Sequence, residues 1–500
     1  MKKLIYKKIQ YLLLGAFCLG LTSCLGDLAP VVNDKIIPDN YFKNEEDARA
    51  AVTAIYSPYR AGWSGSIFNA WVGSYLMLSN LCSDDMGLTR NDLEIVEKFL
   101  WNSTTSEVSK HYSDFIKHVS RATLLMDDLQ RTPMNEERKQ QLIAEVQCAR
   151  GQYMFFLYDF YGTAGVVTDP DILRDPEIEV ILERMPREEF VKLIESDLKS
   201  AAAVLPANYA SNDWGRFTKG SAYAILAKLY MQEKRWQDAE AVCREIVKLG
   251  YELQPSYSSV FSVENAKNKE IIWAIPCLAE GGEGNMWMTH IAPPGYPLKN
   301  NKIQRWYVHN TPWRFYDKYY EKGDDRLNSL IGEFKYLPEG ATDSVLATRT
   351  NFDNLKKGAL PFKYPEDPKQ TTEYSGNDVV VHRYADVLLE LAEAINEQNG
   401  PNPEAIGYVE QIRTRVGLSN SIPASAKASK ETFRDFILDE RARELFCEGH
   451  RRRDLIRHGK FISVAHEEGY TTAQPHMVLF PIPQNILDES QGKIKQNPGY

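Results

Sequence analysis

The feature that most constrains this chain is a helix-pair spacing that occurs twice. In GSAYAILAKLYMQEKRWQDAEAVCREIVKLGY (residues 220–251), Tyr223, Leu226, Ala227 and Tyr230 fall at i, i+3, i+4 and i+7, one face of a helix. After a short turn, Ala239, Cys243 and Ile246 face the same seam from a second helix, and Gly250 stands where a helix C-terminus favours glycine. In RYADVLLELAEAINEQNGPNPEAIGYVEQIRTRVGL (residues 383–418), Leu388, Leu391, Ala392 and Ile395 pair in the same way with Ala405, Val409 and Ile412, across a turn one residue longer. Alanines at the crossing let two helices approach closely, and the combination is the tetratricopeptide pattern. It predicts a mainly α fold, a tetratricopeptide-like helical-repeat scaffold in two sequence segments. Asp39-Asn40 before YFKNEEDARAAVTAIYSPY reads as the cap of the first helix.

Between the two copies, residues 255–380 lose helical periodicity and become rich in Pro, Gly, Asn and aromatics. Long irregular segments inside compact proteins usually carry function. Trp273, Trp287, Trp306 and Trp313 fall within 41 residues, with Tyr296 and Tyr307 among them. Two more tryptophans, Trp63 and Trp71, flank the loop GWSGSIFNAW. Aromatic rings offer large contact area at small rotamer cost, so they suit shallow sites, and the C–H face of a sugar stacks on an indole. The competing reading is that each ring fills core under a loop. Trp313, in the amphipathic TPWRFYDKYY, and Trp236, in the repeat, fit core; Trp287, Tyr296 and Trp306, among Gly, Pro and Asn, fit exposed stacking.

The N-terminus has its own logic. MKKLIYKK, with four lysines and no acid, precedes a short apolar run that ends in Leu21-Thr22-Ser23-Cys24. A basic start and a short apolar stretch read as a secretory signal, too short for a membrane-spanning helix. The last four residues resemble a bacterial lipobox, which implies cleavage before Cys24 and lipid on its thiol. Loss of residues 1–23 takes four lysines and no acid from 59 basic and 68 acidic residues, leaving a net charge of −13. Such an acidic chain argues against nucleic-acid partners; HRRRDLIRHGK is the one basic run. Cys82, Cys148, Cys243, Cys277 and Cys447 are scattered, odd in number and without a CxxC, so they read as small core residues.

Enzyme signatures fall short. GWSGS has Ser66 where a nucleophile elbow needs glycine. HEEGY has Tyr470 where a zinc protease needs its second histidine, and EGGEGN lacks the lysine of a phosphate loop. A glycosidase built on two scattered carboxylates stays open as an alternative. In LDERARELFCEGHRRRDLIRHG, Glu440, Glu444 and Glu448 alternate with six arginines beside His450, which reads as an ion-pair network fixing a helix rather than as acid–base chemistry. Asp84, Asp85 and the GDD at 323–325 could help hold calcium, though neither matches an EF-hand loop; no cofactor is otherwise indicated.

With CLGDLAP, YFKNEEDARAAVTAIYSPY, the segment EVQCARGQYMFFLYDFYGTAGVV, IRTRVGL, LDERARELFCEGHRRRDLIRHGKF and the terminal FPIPQNILDESQGKIKQNPGY in place, the chain resembles the SusD/RagB family of Bacteroidota surface lipoproteins. It departs at Thr163-Ala164-Gly165-Val166-Val167, where the family's loop carries a proline. The resemblance implies a tetratricopeptide-like scaffold beside an irregular binding subdomain. It also implies a non-catalytic role: an outer-membrane lipoprotein, facing the cell exterior, that binds an oligo- or polysaccharide and passes it to a TonB-dependent, SusC-like transporter. A peptide-capturing member of the same family is the nearer alternative. The polar loop SDDMGLTRND lies where the family often contacts ligand, which adds Arg90 and Asn91 to the candidates. The expected plan is a signal at 1–23, a lipidated tether at 24–40, a helical part at 41–254, the aromatic insertion at 255–380, and C-terminal helices and tail at 381–500. The expected site is Trp287, Tyr296, Trp306, Tyr307, Trp71, Trp63, Arg90 and Asn91, with Cys24 as the lipidation point.

Overall fold

The structure, a computed structural model, describes residues 42–500 apart from 61, 63–65, 179–182 and 281. Cys24, the expected signal and tether, Trp63 and the Asp39-Asn40 cap lie outside the described residues. The first described helix, α1 (Glu45–Ala54), is capped instead by Asn44, whose side-chain oxygen accepts from the N–H groups of Glu46 at 2.8 Å and Asp47 at 3.1 Å. The main helices that follow are α2 (Tyr75–Leu81), α3 (Ser106–Arg131), α4 (Glu136–Tyr161), α5 (Arg187–Val204), α6 (Lys219–Gln232) and α7 (Trp236–Lys248). After the irregular stretch come α8 (Trp287–Ile291), α9 (Trp313–Tyr319), α10 (Tyr384–Asn399), α11 (Pro403–Arg415), α12 (Lys430–Leu445) and α13 (Arg451–Arg457). Packing runs from α3 through α4, α5, α6 and α7 to α10, which then meets α11 and α12. Among the described residues no helix is long and apolar enough to cross a membrane.

The two sequence copies meet directly. Ala224, Ala227, Cys243 and Ile246 of α6 and α7 share one apolar cluster with Leu388, Leu391, Ala392, Ile395, Ala405, Val409 and Ile412 of α10 and α11. Gly250 adopts φ 83° just past α7, and Gly400 adopts φ 71° at the end of α10, the left-handed geometry that closes a helix with least strain on glycine. At the crossing, the buried Lys228 ammonium bridges Asp386 and Glu390, the latter at 2.7 Å. The fold is therefore a mainly α, tetratricopeptide-like scaffold, as the spacing predicts.

Residues 255–380 add short strands rather than helices. β2 (Ile271–Ile275) pairs antiparallel with β7 (Val379–Arg383), which runs straight into α10. β1 (Gly87–Leu88), from the polar loop after α2, pairs with β3 (His309–Pro312), which also pairs with β6 (Gly358–Ala359). Gly358 is required there: a Cβ would lie 2.3 Å from both the Asn310 side-chain oxygen and the Thr311 carbonyl. β4 (Phe334–Tyr336) and β5 (Val345–Ala347) form a separate hairpin.

Beneath these strands the acids of α12 collect cations from distant segments. Glu444 accepts from Arg383 at 2.6 Å, from Arg326 at 3.2 Å and from Arg415. Glu440 pairs with Arg326, Arg413 and Arg443, and Glu448 with Arg383 and Lys363. Arg326 and Lys363 come from the 255–380 segment and are fully buried, so this network fastens that segment to the scaffold. It is the structural network expected for these acids. Burial pushes the Glu440 carboxyl up, but Arg326, Arg443 and Arg413 outweigh it and bring it down to about 2; Arg415, Arg383 and Arg326 likewise hold Glu444 well below the usual carboxylate range against its burial. Of the carboxylates considered for calcium, three are engaged within the protein, whereas Asp325 is exposed. Arg451 grips Asp84 at 2.7 and 2.9 Å, Asp85 accepts from Ser83 Oγ and the Cys447 N–H, and Asp324 is held by Arg326. The five described cysteines are free and buried.

The aromatics of the insertion divide sharply, and two expected site residues belong to the core. Trp287 is 2% exposed: its indole N–H donates to the Pro361 carbonyl at 2.8 Å and its ring meets Tyr364 edge-on. The Gly- and Asn-rich sequence around it shapes its backbone, but residues 361–364 cover its ring. Tyr307 is turned inward by a left-handed backbone (φ 48°), a conformation costing about 1–3 kcal/mol in a non-glycine residue, and its hydroxyl donates to the Asn354 carbonyl. Trp273 packs among Tyr59, Phe68 and Phe217.

Two outcomes follow. Trp287→Ala removes a filled core volume and should cost about 3–5 kcal/mol in urea unfolding; a change below about 1 kcal/mol would contradict its core role. Because Glu440 and Glu444 titrate lower in the folded chain than in the unfolded one, their stabilisation is full above about pH 4.3 and is lost as pH falls toward 2. Urea midpoints measured from pH 5 to 2 should fall, and Glu440→Gln should make that fall shallower.

Candidate functional site

Three segments converge around a buried histidine. The first is the turn before α2. Asn69, itself buried, accepts from the Trp71 N–H at 2.7 Å and donates to the Ser66 carbonyl at 3.0 Å, and Ser74 donates to its carbonyl before capping α2. The second is α8, which carries His290. The third is residues 304–309, which run alongside α8: the Trp306 N–H donates to Thr289 O at 2.8 Å and the Val308 N–H to His290 O at 2.6 Å.

The rings follow from that backbone. Trp71 is 38% exposed, and its ring lies 5.9 Å from His290 at an interplanar angle of 53°. Trp306 is half-buried and meets the same imidazole edge-on, 5.3 Å away at 78°. Its indole N–H donates to Gln304 Oε1 at 2.9 Å, and Gln304 Nε2 reaches Glu373 at 3.3 Å. His290 is fully buried, with both ring nitrogens lacking a hydrogen-bond partner. Burial, with His309 beside it, pushes its pKa down to about 3, so the ring is neutral at physiological pH. His309 lies 5.6 Å away and donates from Nε2 to the Ala70 carbonyl at 2.8 Å; a carbonyl only accepts, which sets the tautomer. Burial brings its pKa down to about 4.

Of the residues expected from sequence, Trp71 and Trp306 share this cluster. Arg90 and Asn91 are exposed on the adjoining loop, aligned with the strand by the Thr89 N–H to Val308 O bond at 2.9 Å. Arg90 is engaged by Asp92 at 2.7 and 3.1 Å, and Asn91 accepts from Lys357 at 3.2 Å. Tyr296 is half-buried and packs on Phe334 and Phe362, in a neighbouring aromatic group. Sequence reasoning missed His290, His309, Gln304, Glu373 and Lys357. Gln304, two residues before a tryptophan in an irregular loop, carried the one local signal; the histidines carried none.

Trp71, 38% exposed, and the half-buried Trp306 are of the residue type that stacks on sugar rings, and amides and carboxylates are of the type that hydrogen-bonds hydroxyls. A different concavity of about 750 Å³ opens between α1 and residues 212–216, with Arg49, Arg60, Asp213, Arg216 and Glu283 on its walls.

Comparison with known proteins bears on both fold and site. A sequence model of the SusD family matches residues 309–500, and one described as starch-binding associating with outer membrane matches residues 82–231. SusD-like protein P25 of Formosa agariphila is 27% identical over 99% of this chain and 100% of its own length. The starch-binding protein SusD of Bacteroides thetaiotaomicron is 27% identical over 27% of this chain and 23% of its own. The solved structure of a laminarin binding SusD-like protein superposes with a TM-score of 0.75 at 26% identity, covering 92% of this chain and all of that one. A SusD homologue from Bacteroides thetaiotaomicron reaches 0.79 at 23% identity, covering 93% and 98% of the two chains, a likeness of fold. The chain belongs to the SusD/RagB family.

Proposed function

We propose that this protein binds an oligo- or polysaccharide at the cell surface without cleaving it and delivers it to a partner TonB-dependent, SusC-like transporter. The observation that carries the reading is the pair Trp71 and Trp306, held against one buried imidazole with Gln304, Glu373, Arg90 and Asn91 close along the same segments. Indoles take the C–H face of a sugar, and amides and carboxylates take its hydroxyls. Starch and laminarin in the names of two similar proteins point to the same ligand class. Lipid at Cys24 would anchor the mature chain in the outer membrane, each buried methylene adding about 0.8 kcal/mol. The groove with Arg49, Arg60, Asp213 and Glu283 on its walls favours a second reading, capture of a peptide.

Affinity gel electrophoresis through a panel of polysaccharides, with product analysis of the same mixtures, separates these readings. Retardation by a glycan without cleavage, lost in the Trp71→Ala, Trp306→Ala double variant, is the expected result; cleavage would sink the non-catalytic reading. Retention by no glycan, with binding of a peptide mixture lost on Asp213→Ala, would favour peptide capture. Cys24→Ala should move the protein from the membrane to the soluble fraction, and unchanged fractionation would refute the lipid anchor.

A further inference from the structure

We propose that a cavity between α6, α10 and α13 binds an α-amino acid with an aliphatic side chain, its ammonium on Glu390 and its carboxylate toward Lys234. This site is separate from the aromatic cluster and from the groove beside α1, and it does not rest on the glycan-binding reading.

The cavity measures about 230 Å³, several times the roughly 30 Å³ share of one water molecule in the liquid. Its floor is ionic. Lys228 of α6 pairs with Asp386 and Glu390 of α10, and Arg441 of α12 pairs with Asp386 at 2.9 Å and Asp454 at 2.8 Å. Arg457 of α13 pairs with Asp454 at 2.9 Å and Glu393 at 2.6 Å. Arg452 and Arg453 both turn to Asp159, at 2.9 and 3.4 Å. The acids Asp386, Glu390, Glu393 and Asp454 therefore share Lys228, Arg441 and Arg457, one cation fewer than their own number. His458 meets Glu393 at 3.0 Å, and His450, 3.8 Å from Asp386, is kept neutral by burial. The deficit shows at Glu390, which is 1% exposed: Oε1 accepts from Lys228 at 2.7 Å, but Oε2 has no hydrogen-bond partner. Burial, with Asp386 beside it, pushes the Glu390 carboxyl up. Gln232 Oε1, at the end of α6, is a second buried acceptor without a partner.

Two orphaned acceptors and one missing positive charge call for a cation that donates hydrogen bonds. Water would donate without bringing the charge. Among the described residues no three histidine, cysteine or carboxylate side chains are grouped to hold a metal ion, so an ammonium is the cation that fits. The remaining lining sets what the ammonium is attached to. Met231, Ile456, Val478 and Leu479 give the cavity an apolar surface that an aliphatic chain would cover. Lys234, exposed in the turn after α6, lines the cavity too and makes no ion pair among the described residues, which leaves its ammonium open to a carboxylate. An ammonium, a carboxylate and an aliphatic group on one small skeleton make an α-amino acid such as leucine.

The test is calorimetric titration of the full chain with L-leucine, with 3-methylbutylamine, which lacks its carboxylate, and with 4-methylpentanoate, which lacks its ammonium. L-leucine should bind at least about tenfold more tightly than 4-methylpentanoate, a difference of about 1.4 kcal/mol. Glu390→Gln should remove most of that preference. Lys234→Ala, at an exposed position, should weaken L-leucine at least about threefold and leave 3-methylbutylamine unchanged. L-leucine should also raise the thermal midpoint of the wild type, and raise it less in either variant. Should Glu390→Gln not fold, the two analogues and Lys234→Ala decide alone. No binding of L-leucine up to about 10 mM would overturn the inference and leave the cavity to water. Equal binding of 4-methylpentanoate, or L-leucine binding unchanged in folded Glu390→Gln or Lys234→Ala, would overturn it as well. The gel panel reads the glycan site separately, so failure of one reading leaves the other standing.

Discussion

Glu444 is where distant parts of the chain are joined. Its carboxylate meets Arg383 at the end of β7, Arg415 at the end of α11 and Arg326 from the insertion; Arg383 and Arg326 are fully buried and the Arg415 side chain nearly so. Taking so many charges out of water is costly, and an apolar substitute of equal volume could be as stable. What the ionic version adds is direction. Each guanidinium fork fits its carboxylates in one geometry, whereas an apolar patch would tolerate sliding. In this protein the strands that carry the candidate site are short and irregular, so a directional clamp beneath them sets where they sit.

That clamp stands on a scaffold whose own logic is simple. Small residues at the α6–α7 and α10–α11 crossings bring the hairpins into one core, although the insertion separates them in sequence. The insertion leaves the scaffold through β2 and returns through β7, and those two strands pair with each other. Its ends are therefore tied together at the scaffold, which limits the entropy that a long connection would otherwise retain. From this base β3 reaches out to β1, and that pairing aligns the Arg90–Asn91 loop with the Trp306 segment.

Much of the fold was legible in the sequence because helical periodicity is a local signal. The tetratricopeptide spacing, the Gly250 terminus and the acid–arginine network at 440–448 all appear in the structure as the residues suggest. The first helix was legible as a helix but not to its starting residue, since Asn44 competes with Asn40 as a cap and only the backbone beyond decides between them. The candidate site was half legible. Trp71 and Trp306 were found by composition, as rings among turn-forming residues. The same composition pointed to Trp287 and Tyr307, which are buried.

The sequence by itself determined the helical scaffold, the family and the stretch of chain in which the aromatics cluster, because each depends on residue spacing over a few turns. Only the tertiary structure decided which rings face outward. Whether Trp287 is exposed depends on residues 361–364, and Trp71 and Trp306 are neighbours of one ring only because a histidine more than 200 residues from the first and 16 from the second stands beside both. Exposure and ring contact are properties of pairs of segments, and no local pattern carries them.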